Sequence, residues 1–193
     1  KSLFGKLLIA GGFFAGILFT GILSLYLLVV SEILGDVPNR EELRQVENPV
    51  ASEVYSADSV LLGRYFIQER SDIRFDQIPS HVTDALLATE DVRFYEHRGI
   101  DYRSLGRVLF KSLLLQNDAS GGGSTLTQQL VKSLYPRKNY WIFSLLINKM
   151  REIIVASRLE KVYDKNSLLA LYLNTVPFGD NTYGIESAAQ RFF

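Results

Sequence analysis

Cysteine is absent from the 193 residues. That excludes disulfide scaffolds, zinc knuckles, iron–sulfur sites and thiol nucleophiles. Histidine is nearly absent: His81 and His97 are the only two, too few for a multi-histidine metal site. Neither sign of charge is in excess, with 21 Lys+Arg against 21 Asp+Glu, so bulk positive charge does not draw the chain to nucleic acid. Internal repeats and low-complexity tracts are also missing. What the chain does have is 47% hydrophobic and 12% aromatic residues, too many for an intrinsically disordered protein. Its length suits one ordinary domain, or a smaller domain plus a membrane anchor.

Residues 7–30 carry no charged side chain. Twenty-four residues at ~1.5 Å each cross the ~30 Å hydrocarbon core with some tilt. Gly11, Gly12, Ala15, Gly16 and Gly21 punctuate the stretch, and a membrane helix tolerates such residues better than a soluble one does. Lys1 and Lys6 precede it, while Glu32 and Asp36 follow. The positive flank, residues 1–6, should therefore stay cytoplasmic, with the bulk of the chain on the outer face. A cleaved signal peptide has an apolar core of only ~7–15 residues and a small-residue cleavage site. A buried core helix rarely runs beyond ~14 apolar residues. A single membrane anchor fits better than either.

Beyond the anchor, residues 31–49 read as a polar juxtamembrane linker with room for one helical turn. Residues 50–76 read as an extended hairpin, with Ala57, Asp58 and Ser59 as turn material between runs rich in Val, Tyr, Leu, Phe and Ile. From residue 77 to 193 the pattern is mainly helical. Ser80 offers a cap to a first helix. A second spans 103–116, a third 124–135 and a long fourth 142–163. Asp164 caps a fifth through residue 174.

Four places carry more than packing. Glu90 and Asp91 are adjacent carboxylates at the end of an apolar helical segment. Against an apolar wall, one of them would have a raised pKa and could act as a base. A solvated helix end is the plainer alternative, and His97 close behind reads as a hydrogen-bonded structural histidine. Next, Gly121, Gly122 and Gly123 lead into Ser124, Thr125, Leu126, Thr127, Gln128 and Gln129. A glycine run entering a helix presents free N–H groups and a positive dipole end, a seat for a phosphate or sugar oxygen. It lacks the lysine of a P-loop. A flexible hinge with a plain N-cap is equally open. Third, residues 137–161 hold Arg137, Lys138, Lys149, Arg151, Arg158 and Lys161 against Glu152 and Glu160. This is a salt-bridged surface or a cation cluster for a diphosphate; Lys149 and Glu152 share a helix face at i,i+3. Fourth, residues 165–174 have core-helix periodicity.

These segments resemble, in order, the five motifs of the family 51 peptidoglycan glycosyltransferases. These are the transglycosylase domains of class A penicillin-binding proteins and their monofunctional relatives. Glu90, Asp91, Phe94, His97 and Gly99 match E-D-x-x-F-x-x-H-x-G. Gly122, Ser124, Thr125, Thr127, Gln128 and Gln129 match G-x-S-T-x-T-Q-Q. Lys149 and Glu152 match R-K-x-x-E, with Asn148 in place of the first Arg. Lys165, Leu168, Leu169, Tyr172, Leu173 and Asn174 match K-x-x-[IL]-L-x-x-Y-L-N. Gly184, Ala188 and Ala189 match G-x-x-x-A-A-x-x-Y-F, whose Tyr-Phe end reads Phe192, Phe193 here. The family's domain continues past this point, so the chain is expected to be C-terminally incomplete.

The resemblance implies a lysozyme-like helical fold in the bacterial cytoplasmic membrane, and an enzyme that polymerises lipid II into β-1,4 glycan with release of undecaprenyl diphosphate. It implies Glu90 as the base and Glu152 as the residue assisting leaving-group departure. Asp91, Ser124, Thr125, Gln129, Lys132, Lys149, Arg151 and Arg158 are the expected substrate contacts; Phe94, His97 and Asn174 are structural. No cofactor is required by the sequence, although a divalent metal (Mg or Mn) at Glu152 is an option within the family. The expected partners are lipid II, the growing glycan, membrane lipid and other cell-wall or division proteins. The greasy segments 108–115 and 141–143 suit either the outer leaflet or plain core. Two other classes compete: a lytic glycan-cleaving enzyme of lysozyme-like fold, and a non-catalytic anchored cell-wall scaffold.

Overall fold

A computed structural model describes residues 3–46, 52–65, 69–70, 72–115, 122–141 and 143–193. The uncharged stretch forms one long helix, α1 (Leu3–Val30), whose span Ile9–Val30 is long and apolar enough to cross a membrane. Most of its side chains are exposed, but Val29 is fully buried.

The linker is docked rather than loose. Its helical turn, α2 (Arg40–Arg44), starts at a capping box: Asn39 Oδ1 accepts from the Glu41 and Glu42 amides at 2.9 and 3.0 Å, and the Asn39 amide donates to Glu42 Oε2 at 3.1 Å. These bonds satisfy N–H groups that a five-residue helix otherwise leaves unpaired. Val37 and Leu43 are buried in the core. The expected hairpin is present: β1 (Ser52–Tyr55) pairs antiparallel with β2 (Leu61–Tyr65), Ser52 opposite Tyr65. Residues 66–68, the end of the expected second strand, lie outside the described residues.

The helical body follows as α3 (Ser80–Glu90), α4 (Tyr102–Leu115), α5 (Leu126–Leu134), α6 (Ser144–Leu159), α7 (Lys165–Thr175) and α8 (Ile185–Phe192). Several helix bounds differ from the sequence reading, α5 among them, at 126–134 rather than 124–135. Pro79, in extended conformation, occupies the N-cap of α3, and Ser80 is already inside the helix. The long fourth helix is shorter at both ends, 144–159 rather than 142–163. The start of α7 is as expected, with Asp164 Oδ1 accepting from the Ser167 amide at 2.9 Å.

The core is the contact of α5, α6 and α7: Leu126, Leu130, Val131, Val155, Ala156, Leu159, Leu168, Leu169 and Leu173 are all buried. Each such aliphatic side chain larger than alanine contributes about 1.5–3 kcal/mol by leaving water. A small sheet of order β3 (Glu69–Arg70), β5 (Thr182–Tyr183), β4 (Pro177–Gly179) was not expected. It ties the segment after the hairpin to the chain's far end. Asn174 strengthens that tie, its amide donating to Ile73 O at 2.9 Å and its Oδ1 accepting from Ile73 N at 3.1 Å.

Candidate active site

The two adjacent carboxylates part company because the helix ends between them. Glu90 is the last residue of α3, and Asp91 leaves it with φ −155°. Glu90 faces outward, while Asp91 is buried. Asp91 Oδ2 accepts from the Leu126 amide at 3.0 Å, and His97 Nε2 lies 3.0 Å from the same oxygen. An anion on the first N–H of α5 complements that helix's positive end. Asp91 lines the cleft described below, yet its carboxylate is occupied by protein groups, so it frames the site rather than offering a free contact to substrate.

Around Asp91 the rest of the first motif forms a bracket. His97 Nδ1 is 3.9 Å from Glu160 Oε1, and Glu160 in turn accepts from Thr127 Oγ1 at 2.6 Å and from Lys165 Nζ at 2.7 Å. Lys165 Nζ stands 4.2 Å from the centre of the buried Phe94 ring, a cation–π contact. Gly99 has φ +87°, and a Cβ there would come within 3.0 Å of the Ala156 carbonyl group. Its own carbonyl accepts from Thr125 Oγ1 at 2.9 Å and Gln128 Nε2 at 3.1 Å. Phe94 and His97 are thus enclosed in this bracket of protein contacts. Thr125 is the N-cap of α5, so this substrate-contact candidate holds the loop instead.

Glu90 opens onto a cleft of about 350 Å³ lined by Ser104, Arg107, Ser124 and Gln129 among others. The apolar side chains lining the cleft among the described residues, Ala88 and Val92, are themselves exposed. Glu90 Oε2 accepts from Gln129 Nε2 at 2.9 Å, and Gln129 Oε1 accepts from the Tyr172 hydroxyl at 3.1 Å. Burial, with Glu90 adding to it, raises the Tyr172 pKa, which keeps the phenol a neutral donor that orients the amide. Glu90 is therefore positioned by Gln129 with one oxygen still open to the cleft.

The cation cluster divides in two. Lys149 Nζ donates to Ser124 Oγ at 2.6 Å, Gln128 Oε1 at 2.7 Å and Glu152 Oε2 at 3.4 Å, so it reaches the wall of the same cleft. Burial lowers the Lys149 pKa, against the Glu152 carboxylate that holds it up. Glu152 is buried and clamped from its other side by Arg137 Nε at 2.7 Å. Lys132 is exposed and close enough to Lys149 to depress it further. Arg151 and Arg158 depart from expectation: Arg151 Nη2 donates to Asp36 O at 2.8 Å, and Arg158 Nη1 to Pro38 O at 3.0 Å. They pin the linker to α6. Asn148, in place of the motif Arg, fastens the 136–140 loop, donating to Lys138 O and Ser144 O at 2.7 Å each and accepting from Lys138 N at 3.1 Å. That loop carries Arg137, so the second cation on Glu152, beside Lys149, comes from the loop.

Metal binding at Glu152 does not fit these side chains. Both of its oxygens face cations, and among the described residues no group of three or more His, Asp or Glu is gathered to hold an ion. Sequence reasoning missed Arg137 as a partner of Glu152, together with Arg107 and Asp101 in the cleft. Arg137 was visible only as one of six basic residues. Arg107 and Asp101 fall in no motif.

Comparison with known proteins gives a consistent result. The Transglycosylase family model matches residues 58–193, starting within the hairpin turn. Penicillin-binding protein 1A of Aquifex aeolicus (strain VF5) is 36% identical over 176 residues, 91% of this chain and 23% of that protein. Penicillin-binding protein 1A of Escherichia coli (strain K12) is 36% identical over 159 residues, covering 81% and 18%. Penicillin-binding protein 1A/1B of Bacillus subtilis (strain 168) is 35% identical over 198 residues, covering 98% and 21%. The chain spans about a fifth of the length of these relatives.

Proposed function

We propose, for a chain that belongs to the transglycosylase family, that it is a membrane-anchored peptidoglycan glycosyltransferase that joins lipid II units into β-1,4 glycan. α1 holds it in the bacterial cytoplasmic membrane, with residues 1–6 on the cytoplasmic side and the helical body on the outer face. Other cell-wall synthesis or division proteins are its expected neighbours.

Glu90 takes the proton from the acceptor sugar's 4-hydroxyl. The freed oxygen attacks C1 of the donor from the face opposite the diphosphate, the new C1–O4 bond forms, and the C1–phosphate oxygen bond breaks. Configuration at C1 inverts and the electron pair leaves on the diphosphate. Lys149 meets that developing charge, since a cation in a partly desolvated site stabilises it more than water does. Glu152 and Arg137 keep the ammonium aimed at Ser124. Arg107, on α4, offers a second cation to the substrate. One observation carries the reading: the cleft that Glu90 opens onto is the one whose Ser124 holds the Lys149 ammonium at 2.6 Å.

The test is Glu90→Gln in the full chain, incubated with labelled lipid II in detergent micelles. Loss of general-base catalysis should slow glycan formation by about 10²–10⁴. Turnover equal to wild type would falsify the assignment of Glu90 as base. Shortening of added glycan strands, with lipid II left untouched, would identify a lytic enzyme.

A further inference from the structure

We infer that a second cavity, adjoining the cleft at the end of α6 remote from the anchor, is a binding site for the acidic peptide that the glycan carries. The inference rests on the glycosyltransferase reading, which makes the cleft's ligand a peptide-bearing glycan. The cavity measures about 410 Å³, and Arg98, Ile100, Tyr102 and Arg103 lie in its wall. Asp101 lines both the cavity and the cleft, so a strand held in the cleft passes from one to the other over a single side chain.

The charges in the wall select the ligand. Arg93 is already used: it donates to Asp101 Oδ2 at 3.1 and 2.7 Å and to Ser104 Oγ at 2.8 Å. His97 is held by Asp91 at 3.0 Å. Arg98 and Arg103 are different, being exposed and without an ion pair among the described residues. Guanidinium groups in that state take a carboxylate through two parallel bonds. Glu96, also exposed, lies in the same wall and repels a ligand that is wholly anionic, such as a diphosphate. Two open cations and one open anion match a short peptide with more carboxylates than ammonium groups. Tyr102, 74% exposed, offers its ring face to the carbon skeleton of the peptide or sugar.

Position also argues against a phospholipid headgroup. The segment before α6 is fastened to the exit of α1, where the Tyr140 hydroxyl donates to the Leu34 carbonyl. The linker then follows α6 toward its other end, meeting Arg151 at Asp36 and Arg158 at Pro38. α6 has 16 residues, or ~24 Å of axis, and Glu160 at its C-cap lies 3.9 Å from His97 in the cavity wall. The cavity therefore sits a helix length from the anchor's exit. The cleft handles sugar and diphosphate, and this neighbour handles the peptide.

The test is the double variant Arg98→Gln/Arg103→Gln in the full chain, held in detergent micelles. The probe is a soluble peptide-bearing glycan fragment with a fluorescent label, followed by anisotropy. A matched fragment has its peptide carboxylates converted to amides. The double variant should bind the acidic fragment about tenfold more weakly than wild type, the scale of two solvent-exposed charge-assisted contacts. The amidated fragment should bind both chains equally and weakly. Wild type that binds the two fragments alike, or a double variant that binds the acidic one as wild type does, overturns the inference. Displacement of the fragment by phosphatidylglycerol added to the micelles at constant ionic strength marks a headgroup site and also overturns it. Lipid II turnover by wild type is measured alongside. Turnover without selective binding removes the peptide site alone; selective binding without turnover removes the glycosyltransferase assignment and leaves the peptide site standing.

Discussion

Asp101 gives the most quantitative test of the cleft's electrostatics. It caps α4, with Oδ1 accepting from the Arg103 and Ser104 amides at 3.0 and 3.1 Å. Its Oδ2 takes two bonds from Arg93, at 3.1 and 2.7 Å. Burial pushes its pKa up, but these donors more than reverse it and hold it at about 2, below the ordinary 3.8. The side chain is 8% exposed, so solvent screens little of this. At roughly 1.4 kcal/mol per pH unit the depression corresponds to about 2 kcal/mol of folding stability. The folded-state pKa is the lower one, so the contribution is fully present above 3.8 and disappears as pH falls through about 2. Asp101→Asn keeps a capping oxygen but turns the oxygen that accepts from Arg93 into an NH2 group, so it removes the charge together with those two bonds. At neutral pH it should cost about 2 kcal/mol, or a fall in Tm of ~4–8 °C for a domain of this size. The assay is urea unfolding of both proteins in detergent micelles, from neutral pH down to about pH 2. The gap between them should close over the lower part of that range. A gap that stays constant with pH, or no gap at neutral pH, refutes the argument that the ionised carboxylate carries the stability.

Gly99→Ala combines a positive φ with a Cβ 3.0 Å from the Ala156 backbone; strain and overpacking together should cost about 3 kcal/mol, read as a thermal-melt shift of ~6–12 °C. Lys149→Met should lower kcat/KM for lipid II by about 10²–10³ with little change in Tm, because Glu152 keeps its bond to Arg137. Equal activity in that variant would remove Lys149 from the chemistry. Since burial lowers the Lys149 pKa, the alkaline limb of the wild-type rate profile should lie below the ordinary lysine range.

How far the sequence could be read depended on what each feature needs. The membrane-length helix needs only the absence of charge, and α7 needs only Asp164 before a periodic run; both are local and both were legible. The three-stranded sheet rests on strands of two and three residues, too short for any periodicity to show, and β3 and β5 are brought together only by the fold. Ser80 was credited with a cap by residue type. Pro79 already holds φ −60° and ψ 135°, which is the N-cap conformation, and its ring cannot use an N–H that the first turn does not need. At Asp91, adjacency in sequence suggested a pair of carboxylates, whereas the end of α3 sends one to the cleft and one to the N-terminus of α5.

The mixed fate of the basic run, however, was already contained in helix geometry. At about 100° per residue, Arg151 lies about 200° around α6 from Lys149, and Arg158, two turns further along, lies about 180° from it. Glu152, at i+3, stays within about 60° of Lys149. One helix cannot present all of those cations to a single diphosphate. Lys149 and Glu152 share a face with the second motif, and Arg151 and Arg158 share the opposite one, where the carbonyls of Asp36 and Pro38 meet them. Those carbonyls lie just past the end of α1, so the two arginines dock the segment leaving α1 onto the helical body. The same helix therefore carries two jobs on two faces, and a charge count that ignores periodicity merges them.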